Sequence, residues 1–136
     1  MIISVDHGNK SIKTPNALFT SGLIVSEGLQ GFKTDYICWN NKYYTLTEQR
    51  IAYLRDKTED ERFYVLTLFA IAKELERIAT ERKKAEENLQ RIEAKLANES
   101  FTSRAPENVV NAEREKAEKA RALIAKLDAS AAAMKL

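Results

Sequence analysis

Apolar residues recur at alternating steps of three and four along the second half of the chain. The series runs Leu68, Ile71, Leu75, Ile78, Arg82, Ala85, Leu89, Ile92 and Leu96, broken only by Arg82. A 3–4 repeat held this long marks a helix that buries one narrow seam against a partner helix. After an interruption at Asn98 to Pro106 the spacing resumes as Val110, Glu113, Ala117, Ala120, Ile124, Leu127, Ala131 and Met134. Taken in opposite directions the two series pair: Leu96 with Val110, Leu89 with Ala117, Arg82 with Ile124, Ile78 with Leu127, Leu75 with Ala131, Ile71 with Met134. The position numbers of each pair add to nearly one value, as an antiparallel hairpin in a single register requires. The alanines of the second series let the backbones approach while the larger residues of the first fill the seam. The pattern predicts an antiparallel two-helix coiled-coil hairpin.

Upstream the period shortens toward two. Ile2 to Val5 reads as a strand, Asp6 to Thr14 as a Gly-containing turn leading into a second strand, and Ala17 to Ser26 as another extended segment. Gly28 and Gly31 mark a loop. Tyr36 to Trp39 and Tyr43 to Thr47 form a hairpin around Asn40-Asn41-Lys42, because Asn tolerates positive φ. A further short strand is expected around Ile51 to Leu54. Thr58 followed by Glu61 is a capping box, which predicts the start of the first helix there. From Phe63 to Ala72 that helix is apolar nearly all round and needs cover, which the preceding strands supply. Past Glu76 it narrows to the seam, and at ~1.5 Å per residue Thr58 to Asn98 makes a rod on the order of 60 Å. The predicted fold is α+β: a small, mostly antiparallel N-terminal β-sheet packed on the start of a long helix, extended by the antiparallel hairpin. The domains are residues 1–76 and 77–136, with the helix continuous across the boundary. The last helix is expected to cover Ile71 and Leu75 and so to stabilise the N-terminal body.

Composition narrows the function. Charged residues make up 31% of the 136, yet the net charge is only +2, so the totals give no nucleic-acid field, and DNA binding is not expected. One cysteine excludes an internal disulfide and fits a reducing compartment; Cys38 reads as a buried strand residue. No apolar run reaches the ~18 residues of a membrane span, and Met1-Ile2-Ile3-Ser4 lacks a basic leader start. A soluble cytoplasmic chain with no membrane partner is expected. A single histidine, His7, and no Cys/His cluster argue against structural zinc. Tyr36, Trp39, Tyr43 and Tyr44 could stack bases, but in a hairpin they read first as packing residues. The basic residues from Arg77 to Lys126 alternate with acids, as on a solvated coiled-coil exterior, and the same side chains could meet phosphates.

Two stretches resemble known families. Asp6-His7-Gly8-Asn9-Lys10-Ser11-Ile12-Lys13 resembles the first phosphate loop of actin-like ATPases, in particular the bacterial plasmid-partition filament proteins of the ParM/StbA type. Arg50 to Phe63 and Leu66 to Leu75 are similar to the first long helix of that family, so the likeness covers residues 1–76. It implies that Asp6 organises a metal and its water, that backbone N–H groups of Gly8, Asn9, Lys10 and Ser11 hold phosphate, and that Lys13 reaches the phosphates. The family's second phosphate loop, adenosine pocket and second domain have no counterpart here. ATP with magnesium is therefore expected only if the missing part of that fold is supplied. A Gly-containing turn followed by Lys can hold an anion, but by its residues alone this stretch reads as a structural β-turn.

The second resemblance runs from about Ile78 to the C-terminus. Leu96-Ala97-Asn98-Glu99-Ser100-Phe101 followed by Ala105-Pro106-Glu107-Asn108-Val109-Val110 resembles the tip of the C-terminal coiled-coil arm of bacterial valyl-tRNA synthetases. Asn98 can end the first helix, Phe101 can plug the tip as its least exposed residue, and Pro106 suits the first turn of the second helix. The resemblance implies a tRNA-contacting accessory without aminoacylation chemistry, with contacts expected from Lys83, Lys84, Arg91, Lys95, Arg104 and Arg114. The chain thus reads as a hybrid, natural or engineered. The leading expectation is a non-catalytic structural or interaction module, an actin-like fragment fused to and stabilised by a synthetase-type arm, with self-association open. The alternatives are a tRNA-binding accessory module and an ATP-binding plasmid-partition filament fragment.

Overall fold

The computed structural model describes residues 3–28 and 35–134. Ile2 of the expected first strand, Gly31 of the expected loop and Leu136 lie outside the described residues. Six strands precede three helices: β1 Asp6–His7, β2 Ser11–Lys13, β3 Leu18–Thr20, β4 Leu23–Ser26, β5 Tyr36–Trp39, β6 Lys42–Leu46, α1 Glu61–Ala97, α2 Glu99–Arg104 and α3 Glu107–Ala132. The described residues up to Glu74 form one compact unit and those from Leu75 onward a second, with α1 contributing to both.

The first unit holds two three-stranded antiparallel sheets, β1-β2-β3 and β4-β6-β5, where the sequence suggested one. The extended segment Ala17 to Ser26 divides between them at Ser21-Gly22. Ser21 N–H donates to the Lys10 carbonyl (3.3 Å) and its hydroxyl to the Asn9 carbonyl (3.1 Å), while its own carbonyl accepts from Ile51 N–H (2.9 Å). A Cβ at Gly22 would overlap the carbonyl oxygens of Thr47 and Gln49, so only glycine lets the chain pass there. Between β5 and β6, Asn40 and Asn41 take φ of 50° and 59° in a two-residue turn, and Lys42, expected in the turn, instead begins β6 opposite Trp39.

Ile12, Leu23, Tyr44, Ile51, Phe63, Val65, Leu66, Phe69 and Ala70 make the core, so the broad apolar start of α1 packs with residues from both sheets. Ile51 belongs to this core without forming the expected strand. Strand parity corrects the reading of Cys38. Tyr44 faces the core and pairs with Ile37, so Cys38, opposite Tyr43, turns outward and is exposed. The helix also starts later than the capping box implied. Asp60 caps it, its carboxylate accepting from Arg62 N–H at 2.9 Å and its carbonyl from Phe63 N–H at 3.0 Å, while the Thr58 hydroxyl donates to Asp56 at 2.6 Å. Glu61, instead of reaching back to Thr58, accepts from the Tyr44 hydroxyl at 2.7 Å and from Lys42 at 3.2 Å.

In the second unit the hairpin forms as the spacing predicts. Every seam position from Leu75 to Leu96 and from Val110 to Met134 is buried or half-buried, and Ile78, Ala85, Ile92, Ala117, Ala120 and Leu127 are fully buried. The interruption is itself structured: α2 is a six-residue helix whose N-cap Asn98 accepts from Ser100 N–H at 3.0 Å. Pro106 sits one position ahead of α3, where its carbonyl accepts from Val109 and Val110. Phe101 is half-buried, as are Thr102 and Ala105, and Lys95 Nζ lies 4.7 Å from its ring centroid.

Candidate nucleic-acid interface

The candidate phosphate turn is a closed hairpin. Asp6 and Lys13 are cross-strand partners at its base, with His7 opposite Ile12. A Cβ at Gly8 would come within 2.9 Å of the Ser11 carbonyl oxygen, so the glycine serves the closing of the turn. The Asn9 and Lys10 carbonyls are taken up by Ser21. Lys10, Ser11 and Lys13 border one shallow depression with Thr20, whose hydroxyl donates to Glu48 at 3.0 Å. Asp6 and Gly8 are not part of that depression, so the structure does not gather the six candidate residues around one cavity. Arg50 to Asp60, similar by sequence to a helix, precede α1 and are not helical. Beside this turn His7 Nε2 lies 2.9 Å from the Thr67 hydroxyl, and its carbonyl accepts from Lys57. Burial, then the Lys57 charge, lowers the pKa of its imidazole.

The helical hairpin carries two grooves, one on each side of the seam. Leu89, Glu93, Arg121, Ile124 and Asp128 line the first, with Glu86 at its edge. Arg121 in its wall binds Glu93 at 2.7 Å and also Glu118, and beside it Arg82 binds Asp128 at 2.5 Å and Glu86 at 2.9 Å. These hydrogen bonds raise both guanidinium pKa values, from Asp128 for Arg82 and from Glu93 for Arg121.

Asn88, Ile92, Glu113, Lys116, Lys119 and Leu123 line the second groove. At about 100° per residue, Lys84, Arg91 and Lys95 fall within ~40° of one another on the flank of α1 that holds Asn88. Glu113 occupies a seam position and is 8% exposed, accepting from Lys116 at 2.9 Å and Lys95 at 3.2 Å. Those two ammonium groups, Lys116 first, depress its carboxyl pKa. Lys84, Arg91 and Lys119 are exposed and, among the described residues, carry no ion pair.

The six residues expected to meet tRNA are therefore dispersed. Lys84, Arg91 and Lys95 share the second flank, and Lys83 lies a further ~100° around α1 from Lys84, away from the seam. Arg104 ends α2 at the tip. Arg114, 3.4 Å from Asn111 Oδ1, shares its stripe with Arg121 seven residues on. Sequence reasoning counted Lys116 and Lys119 among the arm's basic residues without placing them among the six expected contacts, and it passed over Asn88. Projecting the antiparallel register onto two helical wheels is the signal that would have found them. Among the described residues no helix is long and apolar enough to cross a membrane.

Residues 70–135 match a family described as the valyl tRNA synthetase tRNA binding arm. Valine–tRNA ligase of Clostridium acetobutylicum is 39% identical over 71 residues, 52% of this chain and 8% of that protein. The same enzyme of Clostridium perfringens is 52% identical over 52 residues, 38% of this chain and 6% of that protein. That of Staphylococcus saprophyticus is 49% identical over 49 residues, 36% of this chain and 6% of that protein. The chain thus spans less than a tenth of the length of the curated relatives it matches. No solved structure matches. These findings lend no support to the actin-like resemblance of residues 1–76 or to plasmid partition. The helical C-terminal part is similar to the tRNA-binding arm of valyl-tRNA synthetases.

Proposed function

We propose that the helical hairpin is a non-catalytic accessory arm that binds tRNA in the cytoplasm, through electrostatic contact with the sugar-phosphate backbone. The match of residues 70–135 to the tRNA binding arm carries this reading. It is supported by exposed lysine and arginine side chains that no carboxylate neutralises, such as Lys84 and Arg91. Their worth lies in counterion release, which makes affinity depend on salt and little on sequence. In this reading residues 77–136 are the RNA-contacting domain and residues 1–76 a structural one.

Fluorescence anisotropy with labelled tRNA at 50 and 200 mM salt tests the proposal. With three to five phosphates neutralised, the slope of log K against log salt is about −2 to −4, and affinity falls by about 15- to 250-fold over that range. Absence of saturable binding at 50 mM salt, or binding whose affinity does not change with salt, overturns the reading.

A further inference from the structure

We infer that the arm meets RNA with one edge only, the edge of Lys84, Asn88, Arg91, Lys95, Lys116 and Lys119. Glu113 is the positioning residue that holds two of those lysines at the groove. This deepens the tRNA-binding reading and rests on it.

The two edges differ in what their cations have left to give. On the edge of Arg82 and Arg121 each of these two already holds two carboxylates, with Glu86, Glu93 and Asp128 beside them, and Arg114 on the same stripe meets, among the described residues, only the Asn111 amide. A phosphate arriving there must displace those partners or sit against their charge, and exchanging one ion pair for another releases little free energy. On the opposite edge Lys84, Arg91 and Lys119 hold no carboxylate among the described residues. Lys84, Arg91 and Lys95 make a row about 16 Å long at ~1.5 Å per residue, with Asn88 between them as a neutral donor. Lys116 and Lys119 stand across the groove on α3.

Glu113 explains why this row is ordered. A carboxylate on an apolar seam is tolerated only if its charge is compensated, and Lys95 and Lys116 do so from opposite helices. Each ammonium has three donors and gives one to Glu113, so both heads are drawn toward the seam with two donors free. One carboxylate against two ammonium groups also leaves the trio positive.

Two double variants of equal net charge test the edge. Arg91→Gln/Lys119→Gln removes two cations from the proposed face, and Gln90→Glu/Ala125→Glu adds two anions to the other; all four positions are exposed. The first pair should weaken tRNA binding about tenfold at 100 mM salt and flatten the salt slope by ~1.4–1.8. The second should stay within about threefold of the parent with its slope unchanged. Equal losses in both overturn the one-edge inference while leaving tRNA binding intact; failure of the parent to bind tRNA overturns the underlying reading instead. Glu113→Gln separates positioning from charge. Adding net positive charge alone predicts tighter binding, whereas freeing Lys95 and Lys116 predicts binding about threefold weaker. Tighter binding by a variant with the parent's helical content overturns the role of Glu113.

Discussion

Ile92→Ala tests the seam itself. Ile92 is 7% exposed and lies toward the tip of the hairpin, lining the same groove as Ala85 and Ala120. The substitution removes three apolar carbons, worth ~2.4 kcal/mol of transfer free energy at ~0.8 kcal/mol each. A cavity adds to that, but a two-helix seam is open along its edges and its long neighbours can settle inward. The total should therefore stay near the low end of the range for such truncations, about 2–3 kcal/mol. That is a ~30- to 140-fold change in the folding equilibrium. With a urea dependence of ~1.5 kcal/mol/M the midpoint should fall by about 1.3–2 M. The assay is a urea titration followed by ellipticity at 222 nm, with Arg91→Ala as control. Arg91 is next in sequence, exposed and without an ion pair, so its truncation should stay within ~0.5 kcal/mol. If the two variants shift the midpoint equally, the seam does not hold the hairpin together.

Three further outcomes follow from the N-terminal unit. Burial, then the hydrogen bond to Glu61, pushes the Tyr44 phenol up to about 12. One tyrosine's share of the 295 nm absorbance should therefore emerge near that pH in an alkaline titration and vanish in Tyr44→Phe. Because the shift is upward, the stability it reflects is complete below pH ~10 and is lost as pH rises toward the folded value. His7 is shifted the other way, below 6.5, so the unfolded chain binds more protons there. Melting temperature should drop as pH falls through about 6.5 and level off below the folded value, and His7→Gln should remove that component. Asn41, at φ 59°, should accept glycine without loss, whereas Asn41→Val should cost about 1–2 kcal/mol of stability in a thermal melt.

How legible each element was depends on whether its cause is local. The hairpin could be read because spacing alone decides which side of a helix is apolar, and the Asn40-Asn41 turn because positive φ is a property of those residues. The division into two sheets could not. It follows from Ser21-Gly22 meeting the backbones of Lys10, Thr47 and Gln49, contacts that no hydrophobic pattern records. Cys38 was misread for a related reason. Strand parity separates two faces but does not say which is inner until a neighbour such as Tyr44 is known to be buried. At the helix start, Thr58 and Asp60 are both good caps by residue type. The choice went to Asp60 because Glu61, the other half of the expected box, is held by Tyr44 and Lys42.

The interface was obscured by averaging. A net charge of +2 and evenly mixed acids and bases describe a surface with no preferred side, and counting residues goes no further. Register breaks that symmetry. Once α1 and α3 run antiparallel in one phase, Asp128 and Glu93 fall within reach of Arg82 and Arg121 and neutralise them. Among the described residues Lys84, Arg91 and Lys119 form no ion pair. The same register brings Lys95 of α1 to Glu113 on the seam, whose other cation, Lys116, lies three residues on in its own helix. The asymmetry is thus a consequence of pairing, and a shift of α3 by one heptad would keep every apolar residue on the seam yet exchange the ionic partners. Such a shift would take Glu113 out of reach of Lys95 and leave it paired with Lys116 alone. The Lys95–Glu113 pair therefore favours the register that gathers the proposed basic edge, and a buried polar group that biases alignment at some cost in stability is the role best attested for such residues in coiled coils.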